Sequence, residues 1–131
     1  MDPERAHIMI IDDEERIRDL LVHFLEDFDK FAVSVAPSGE RALEILAACP
    51  AEVAVVDMRL PGISGVEFIQ AAAARGLCRW FVLHTGSNDL ALTEDLRRLG
   101  MTDEDVFYKP AGADLILERI RELLSRRGGR A

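Results

Sequence analysis

Five short apolar runs alternate along the chain with longer segments in which apolar residues recur every three or four positions. The short runs are typical of strands buried on both faces, and the longer segments are typical of amphipathic helices. The predicted strands cover residues 7–11, 31–36, 53–56, 80–84 and 106–108. This alternation predicts a (βα)5 domain of the α/β class, with a parallel sheet, right-handed crossovers and helices on both faces.

Polar residues and glycines mark where the predicted helices begin and end. Ser64 and Glu67, three residues apart, form a capping box at the start of the third helix, and Gly76 ends that helix. The fourth helix is predicted to end at Gly100. After the fifth helix, the basic and glycine-rich segment 126–131 is predicted to be a flexible tail.

The composition is that of a globular protein. A length of 131 residues predicts a single domain, and 49% hydrophobic residues suffice for a core. The net charge of -8 argues against direct binding of nucleic acid, because phosphates need basic partners. No apolar segment approaches the ~20 residues of a membrane span, and no signal peptide is recognisable before the first strand. We therefore expect a cytoplasmic protein that does not enter a membrane.

Polar residues with site chemistry follow four of the predicted strands. Asp12 and Asp13 follow the first strand, Asp57 the third, Thr85 the fourth and Lys109 the fifth. The carboxyl ends of parallel strands meet at one edge, where ligands bind in open α/β sheets. Two carboxylates ~5 Å apart repel each other by about 3 kcal/mol at an effective dielectric constant of ~20. This grouping predicts a magnesium site, with a hydroxyl and a lysine suited to a phosphoryl group beside it.

Two of the residues at this edge also have a structural interpretation. Asp12 alone could be a helix N-cap, but the adjacent Asp13 favours the metal site. His84 precedes Thr85 on a strand, so its side chain is predicted to point to the opposite face and to pack there.

Four short motifs, in this order and at these strand ends, resemble the receiver domain of bacterial two-component response regulators. They are Asp12-Asp13-Glu14, Asp57-Met58-Arg59-Leu60-Pro61-Gly62, Thr85-Gly86 and Lys109-Pro110. The resemblance covers about residues 6–125. It implies a flavodoxin-like three-layer sandwich with strand order 2-1-3-4-5. It also implies phosphorylation by a sensor histidine kinase or a histidine phosphotransfer protein, and a conformational switch at the face of helix 4, strand 5 and helix 5.

The resemblance assigns a role to each residue of the site. Asp57 is the implied phosphoacceptor, and Thr85 and Lys109 are implied to bind phosphoryl oxygens. The implied Mg²⁺ ligands are the side chains of Asp12, Asp13 and Asp57 and the backbone carbonyl of Arg59. The family also has a cis bond after the lysine, which makes Lys109-Pro110 a candidate. Such a domain acts on no separate substrate and catalyses only its own phosphorylation and dephosphorylation.

The chain departs from the receiver pattern near the fifth strand. Val106 occupies the position, three residues before Lys109, where most receivers carry an aromatic switch residue. Tyr108 shares the face of Val106. The connection 100–105 is longer than usual, and the fifth helix lacks the charge pattern of dimeric relatives. A monomer or weak dimer is therefore expected, and the residue that replaces the switch aromatic stays open.

Two other functions share parts of this pattern. A Mg²⁺-dependent phosphatase of the haloacid-dehalogenase type also uses an aspartyl nucleophile, but it places two acids two residues apart after its first strand. A pseudo-receiver, an interaction module without phosphorylation, would be expected to lack one of the site residues, and none is missing here. We therefore predict a phosphoaccepting receiver domain. Its output is an unknown partner or a fused effector domain.

Overall fold

The computed structural model describes residues 6–28, 31–86, 92–109 and 112–128, without the side chains of residues 28, 127 and 128. The strands in this part are β1 (His7–Ile11), β2 (Ala32–Ala36), β3 (Ala51–Val56), β4 (Cys78–Thr85) and β5 (Val106–Tyr108). The α-helices are α1 (Glu15–Phe28), α2 (Gly39–Ala48), α3 (Gly65–Ala74), α4 (Glu94–Arg98) and α5 (Ala113–Gly128). A 3-10 helix, Asp103–Asp105, precedes β5.

The five strands form one parallel sheet in the order β2-β1-β3-β4-β5. The predicted α/β class and the 2-1-3-4-5 order are confirmed. The register aligns the carboxyl ends of the central strands, since Ile11 of β1 is opposite Val56 of β3, and Val56 is opposite Leu83 of β4. This alignment creates a single edge for the residues that follow the strands.

Alternate residues of each strand enter two separate cores, one on each face of the sheet. One core packs the sheet against α2, α3 and α4 through fully buried residues such as Met9, Phe68 and Leu96. The other packs it against α1 and α5 through residues such as Ile10, Leu25 and Ile120. The arrangement is the predicted three-layer sandwich.

Helix α3 has the predicted ends. The Ser64 hydroxyl accepts a hydrogen bond from the Glu67 N–H at 3.1 Å, and the Glu67 carboxylate accepts one from the Ser64 N–H at 2.9 Å. Gly76 follows the helix with a φ of 66°, a left-handed conformation that glycine adopts without steric cost. The capping box is therefore confirmed.

Helix α4 is short and ends at Arg98, two residues before the predicted end at Gly100. It has five residues and is capped by the Thr93 hydroxyl, so Leu92 lies before it but is still buried. Leu99 follows the helix and is 45% exposed. Gly100, where the helix was predicted to end, comes after this residue and has a φ of 97°, the left-handed conformation common just past a helix.

Helix α5 extends further than predicted and includes residues 126–128, the first half of the expected flexible tail. The Arg126 guanidinium lies 5.9 Å from the centre of the Trp80 ring, a cation–π contact that supports this last turn. Residues 129–131 and the Lys109-Pro110 bond lie outside the described residues. None of the described helices has the length and apolar character that crossing a membrane requires.

Candidate functional site

The sheet itself brings the predicted site residues to one edge. Backbone pairing continues for one residue beyond the strands, because the Asp57 N–H donates to the Ile11 carbonyl at 2.9 Å and the Lys109 N–H donates to the Thr85 carbonyl at 2.7 Å. Asp57 and Lys109 are therefore held in the register of the sheet. Their side chains emerge at its carboxyl edge.

Three carboxylates form a cluster at this edge. One oxygen from each of Asp12, Asp13 and Asp57 lies within 4.8 Å of the other two. Asp12 and Asp57 are only 2% and 6% exposed, whereas Asp13 faces solvent. Hard oxygen ligands with one accessible side are the donor set that Mg²⁺ prefers, so these residues fit the implied ion.

Lys109 reaches over the cluster and neutralises part of its charge. Its Nζ donates hydrogen bonds to Asp12 Oδ2 at 2.9 Å and to Asp57 Oδ2 at 3.2 Å. A third carboxylate, that of Glu14, lies 3.6 Å away. The lysine side chain is only 17% exposed, so these contacts occur largely away from water. Lys109 therefore bridges Asp12 and Asp57.

Lys109 does not fully offset the cost of burying the negative charge of Asp57. Burial raises the pKa of the Asp57 carboxyl, and the Asp12 charge adds to this, although Lys109 and the Arg59 N–H oppose the rise. Burial would lower the pKa of Lys109, but the hydrogen bond to Asp12 and the charges of Asp57 and Asp12 outweigh it and raise that pKa. The site thus keeps Lys109 charged and leaves Asp57 with an unfavourable charge that a cation would relieve.

The loop after Asp57 turns back closely on the acceptor. The Arg59 N–H donates to Asp57 Oδ1 at 3.2 Å, and the Gly65 N–H donates to the Met58 carbonyl at 3.0 Å. A Cβ at position 65 would lie 2.5 Å from the Asp57 carbonyl oxygen, so only glycine allows this approach. The loop therefore holds one oxygen of the Asp57 carboxylate through the Arg59 N–H and packs Gly65 against the Asp57 backbone.

The last two residues of β4 differ in their surroundings. Thr85 is fully buried at the same edge as the acids. His84 is also buried, and among the described residues neither of its ring nitrogens has a hydrogen-bond partner. His84 stands two residues after Val82, which belongs to the core on the side of α1 and α5, so the alternation of the strand assigns it to that face, opposite to Thr85. Burial lowers the pKa of His84, and the Lys109 charge lowers it further against the opposing Asp12 charge.

Two contacts at the edge were not predicted. The Arg18 guanidinium donates to the backbone carbonyl of Asp12 at 2.6 Å. The Glu14 N–H donates to Asp12 Oδ1 at 2.9 Å, so Asp12 also organises the start of α1, as its capping interpretation suggested. Glu14 belongs to the quoted acidic motif, but Arg18 contacts Asp12 only because α1 folds back beside β1. No spacing in the sequence indicates that contact.

A doubly wound parallel sheet, with an acid cluster and a lysine at its carboxyl edge, defines a regulatory domain of the receiver class. The sequence model of the response regulator receiver domain matches residues 8–121, and the chain belongs to this family.

Relatives and solved structures agree with this assignment. The transcriptional regulatory protein FixJ of Azorhizobium caulinodans is 31% identical over 124 residues, which cover 95% of this chain and 57% of that protein. The chain thus spans little more than half the length of this relative. A CheY-like receiver domain from Methanospirillum hungatei superimposes with a TM-score of 0.79 at 23% identity, covering 98% of this chain and 100% of that one. TrrA of Thermotoga maritima, solved with Mg²⁺ and beryllium fluoride, has a TM-score of 0.74 at 25% identity over 90% of this chain and 98% of its own.

Proposed function

We propose that this receiver domain accepts a phosphoryl group on Asp57 from a sensor histidine kinase or a histidine phosphotransfer protein. The observation that carries the proposal is the Lys109 bridge between Asp12 and Asp57, beside the cluster of three carboxylates. It supports the proposal because a carboxylate that could act as nucleophile, oxygens that could bind a cation and a lysine that could bind phosphate lie at one edge. TrrA, which is similar to this chain, has been solved with Mg²⁺ and a beryllium fluoride ligand.

In the proposed reaction, a carboxylate oxygen of Asp57 attacks phosphorus, and a new P–O bond forms. The P–N bond of a phosphohistidine breaks, or the P–O bond of acetyl phosphate, and the imidazole or acetate leaves with the electron pair. Bound Mg²⁺, held by Asp12, Asp13, Asp57 and the Arg59 carbonyl, would offset the negative charge of the acids and of the phosphoryl oxygens. Lys109 exchanges its Asp57 contact for a phosphoryl oxygen, and Thr85 donates its hydroxyl to another.

Incubation with acetyl phosphate tests this function directly. Intact-protein mass spectrometry is expected to detect one added phosphoryl group with Mg²⁺ and none with EDTA. A protein that stays unmodified over a range of Mg²⁺ and acetyl phosphate concentrations would favour the pseudo-receiver alternative. Steady release of phosphate from an unrelated phosphomonoester would instead favour the phosphatase alternative.

Magnesium is expected to stabilise the folded protein, because it binds the acid cluster of the native state only. At a Mg²⁺ concentration about 100 times Kd, the gain is ~2.7 kcal/mol, read as a rise in melting temperature. Replacing Asp13 with Asn removes a charged ligand, so Kd is expected to rise about tenfold or more. Asp27→Asn, an exposed acid on α1, provides the control and is expected to bind Mg²⁺ like the wild type. Equal shifts in all three proteins would contradict the assigned ligands.

The proposed output is a change at the face of α4, β5 and α5, without the usual aromatic rotamer change. The phosphoryl group adds about -1.5 to -2 charge, and we expect Thr85 to move toward it. Val106, which is β-branched, is too stiff to fill the vacated space, whereas Tyr108 lies one step nearer the site and is 44% exposed. Structures with and without beryllium fluoride test this expectation. A stationary Thr85 would refute the switch, and a moving Thr85 with a stationary Tyr108 would assign the change to α4.

The proposed setting is the cytoplasm, where a kinase or phosphotransfer protein would dock at the carboxyl edge. The matched relatives are longer transcriptional regulatory proteins, so a fused effector domain or a separate partner is the proposed recipient of the signal. The acidic charge of -8 favours a receiver that does not itself touch nucleic acid. We propose a monomer or weak dimer, as the sequence predicts.

A further inference from the structure

The loop of residues 58–64, here called the acceptor loop, contacts the first turn of α2. Glu40 Oε2 accepts a hydrogen bond from the Ile63 N–H at 3.1 Å. Gly62 has a φ of 76°, and a Cβ there would lie 2.8 Å from the Glu40 carboxylate carbon. At Gly39, a Cβ would lie 2.7 Å from Ile63 Cγ1. Two glycines, one on each side, therefore allow the loop and the helix to approach this closely.

This contact holds the acceptor loop directly after its turn, whereas its two ends are held in other ways. At its start, the Arg59 N–H donates to Asp57 Oδ1, and at its end Ser64 caps α3. Between them lies a Pro61-Gly62 turn, which makes no regular helix or strand. Glu40 comes from a separate helix and fixes the amide directly after that turn.

We propose that Glu40 is a positioning residue for the acceptor loop. This role rests on the proposed function. The hydrogen bond from the Ile63 N–H to Glu40 keeps the loop at a fixed distance from Asp57. It thereby also fixes the position of the Arg59 carbonyl, which would ligate Mg²⁺. A loop already in its binding conformation loses less conformational freedom when the ion binds. Glu40 therefore increases Mg²⁺ affinity without touching the ion.

The alternative is that Glu40 attracts the cation through its charge alone. Because Glu40 is exposed, salt would screen such an attraction strongly. Glutamine separates the two explanations, since its amide oxygen can still accept from the Ile63 N–H but carries no charge. Glu44 offers a matched control. It lies one turn further along α2, is 69% exposed and pairs with Arg41 rather than with the loop.

The experiment compares Mg²⁺ Kd by calorimetry for the full chain and for Glu40→Ala, Glu40→Gln and Glu44→Ala. We expect Glu40→Ala to raise Kd about two- to tenfold, the range spanned by one hydrogen bond. We expect Glu40→Gln and Glu44→Ala to stay within about twofold of the wild type. The proposal would be overturned if Glu40→Ala had the Kd of the wild type, or if Glu40→Ala and Glu40→Gln lost Mg²⁺ affinity equally.

A second measurement separates this inference from the proposed function. Amide hydrogen exchange in EDTA is expected to show Ile63 protected in the wild type and in Glu40→Gln, but exchanging faster in Glu40→Ala. If the wild type bound no Mg²⁺ while this pattern held, the proposed function would fail and the positioning of the loop would stand. If Ile63 exchanged equally fast in all three proteins, the positioning role would be wrong even if Asp57 were phosphorylated.

Discussion

Replacing Asp57 with Asn is expected to abolish labelling by acetyl phosphate in the presence of Mg²⁺. An amide oxygen is a poor nucleophile, and the variant also loses one of the three carboxylates of the cluster. Intact-protein mass spectrometry checks the result. Asp27→Asn is the control, because Asp27 is an exposed acid on α1 and the variant is expected to be labelled like the wild type. Full labelling of Asp57→Asn would rule out Asp57 as the acceptor.

The same variant is expected to be more stable than the wild type at neutral pH in EDTA. Burial and the neighbouring Asp12 raise the pKa of Asp57 above its ordinary 3.8, although Lys109 opposes this. The folded state therefore binds the proton more tightly than the unfolded state. The ionised form of Asp57 therefore lowers the free energy of unfolding. This loss is complete at pH values above the raised pKa and absent at pH values below 3.8. Asparagine removes this cost.

Urea denaturation at two pH values tests the sign of this effect. The stability difference between Asp57→Asn and the wild type is expected to be largest near pH 7 and to shrink as the pH falls toward 3.8. A variant less stable than the wild type at pH 7 would mean that the Lys109 contact outweighs burial. The gain in stability would also show that lost labelling does not result from unfolding.

Replacing Arg119 with Met is expected to lower the free energy of unfolding by about 3–5 kcal/mol. Arg119 and Asp105 are each only 3% exposed, and Arg119 Nε donates to Asp105 Oδ1 at 2.8 Å. The other carboxylate oxygen of Asp105 accepts from the Thr102 N–H at 2.8 Å. Without the arginine, the Asp105 charge would stay buried with no cation to balance it. The loss is large for a domain whose total stability is about 5–15 kcal/mol.

Equilibrium urea denaturation measures this loss, and a neighbouring pair provides the control. Arg97 and Asp103 form an ion pair of similar length, 2.9 Å, but their side chains are 49% and 83% exposed. Arg97→Met is therefore expected to cost no more than about 1 kcal/mol. Adding Asp105→Asn to Arg119→Met is expected to restore part of the stability, because asparagine has no charge to bury. Similar losses for Arg119→Met and Arg97→Met would contradict the role of burial.

The strands and helices were largely predictable because their signals are local. Strands buried on both faces are apolar wherever they occur, and a capping box needs only Ser64 and Glu67. The predicted bounds of strands and helices were wrong where contacts between distant segments, rather than local signals, determine where an element begins or ends. β3 and β4 begin earlier than predicted, since the ladder continues past Glu52 and Arg79, polar residues that interrupt the apolar runs. The end of α5 is held in part by the contact of Arg126 with Trp80, far away in sequence.

The order of apolar and polar residues along the chain was enough to predict which residues stand at the ends of the strands. A parallel sheet directs all carboxyl ends to one edge, so the grouping of the acids, Thr85 and Lys109 follows from the order of the elements. The contacts among these groups, in contrast, depend on how the helices and loops pack around the sheet. Lys109 bridges Asp12 and Asp57, Arg18 holds the Asp12 carbonyl, and Glu40 reaches the acceptor loop. The Lys109 bridge and the Glu40 contact join segments separated by up to 97 residues, and the raised pKa of Asp57 depends on burial. The short distances between these side chains and the burial of Asp57 arise only when the helices pack against the sheet.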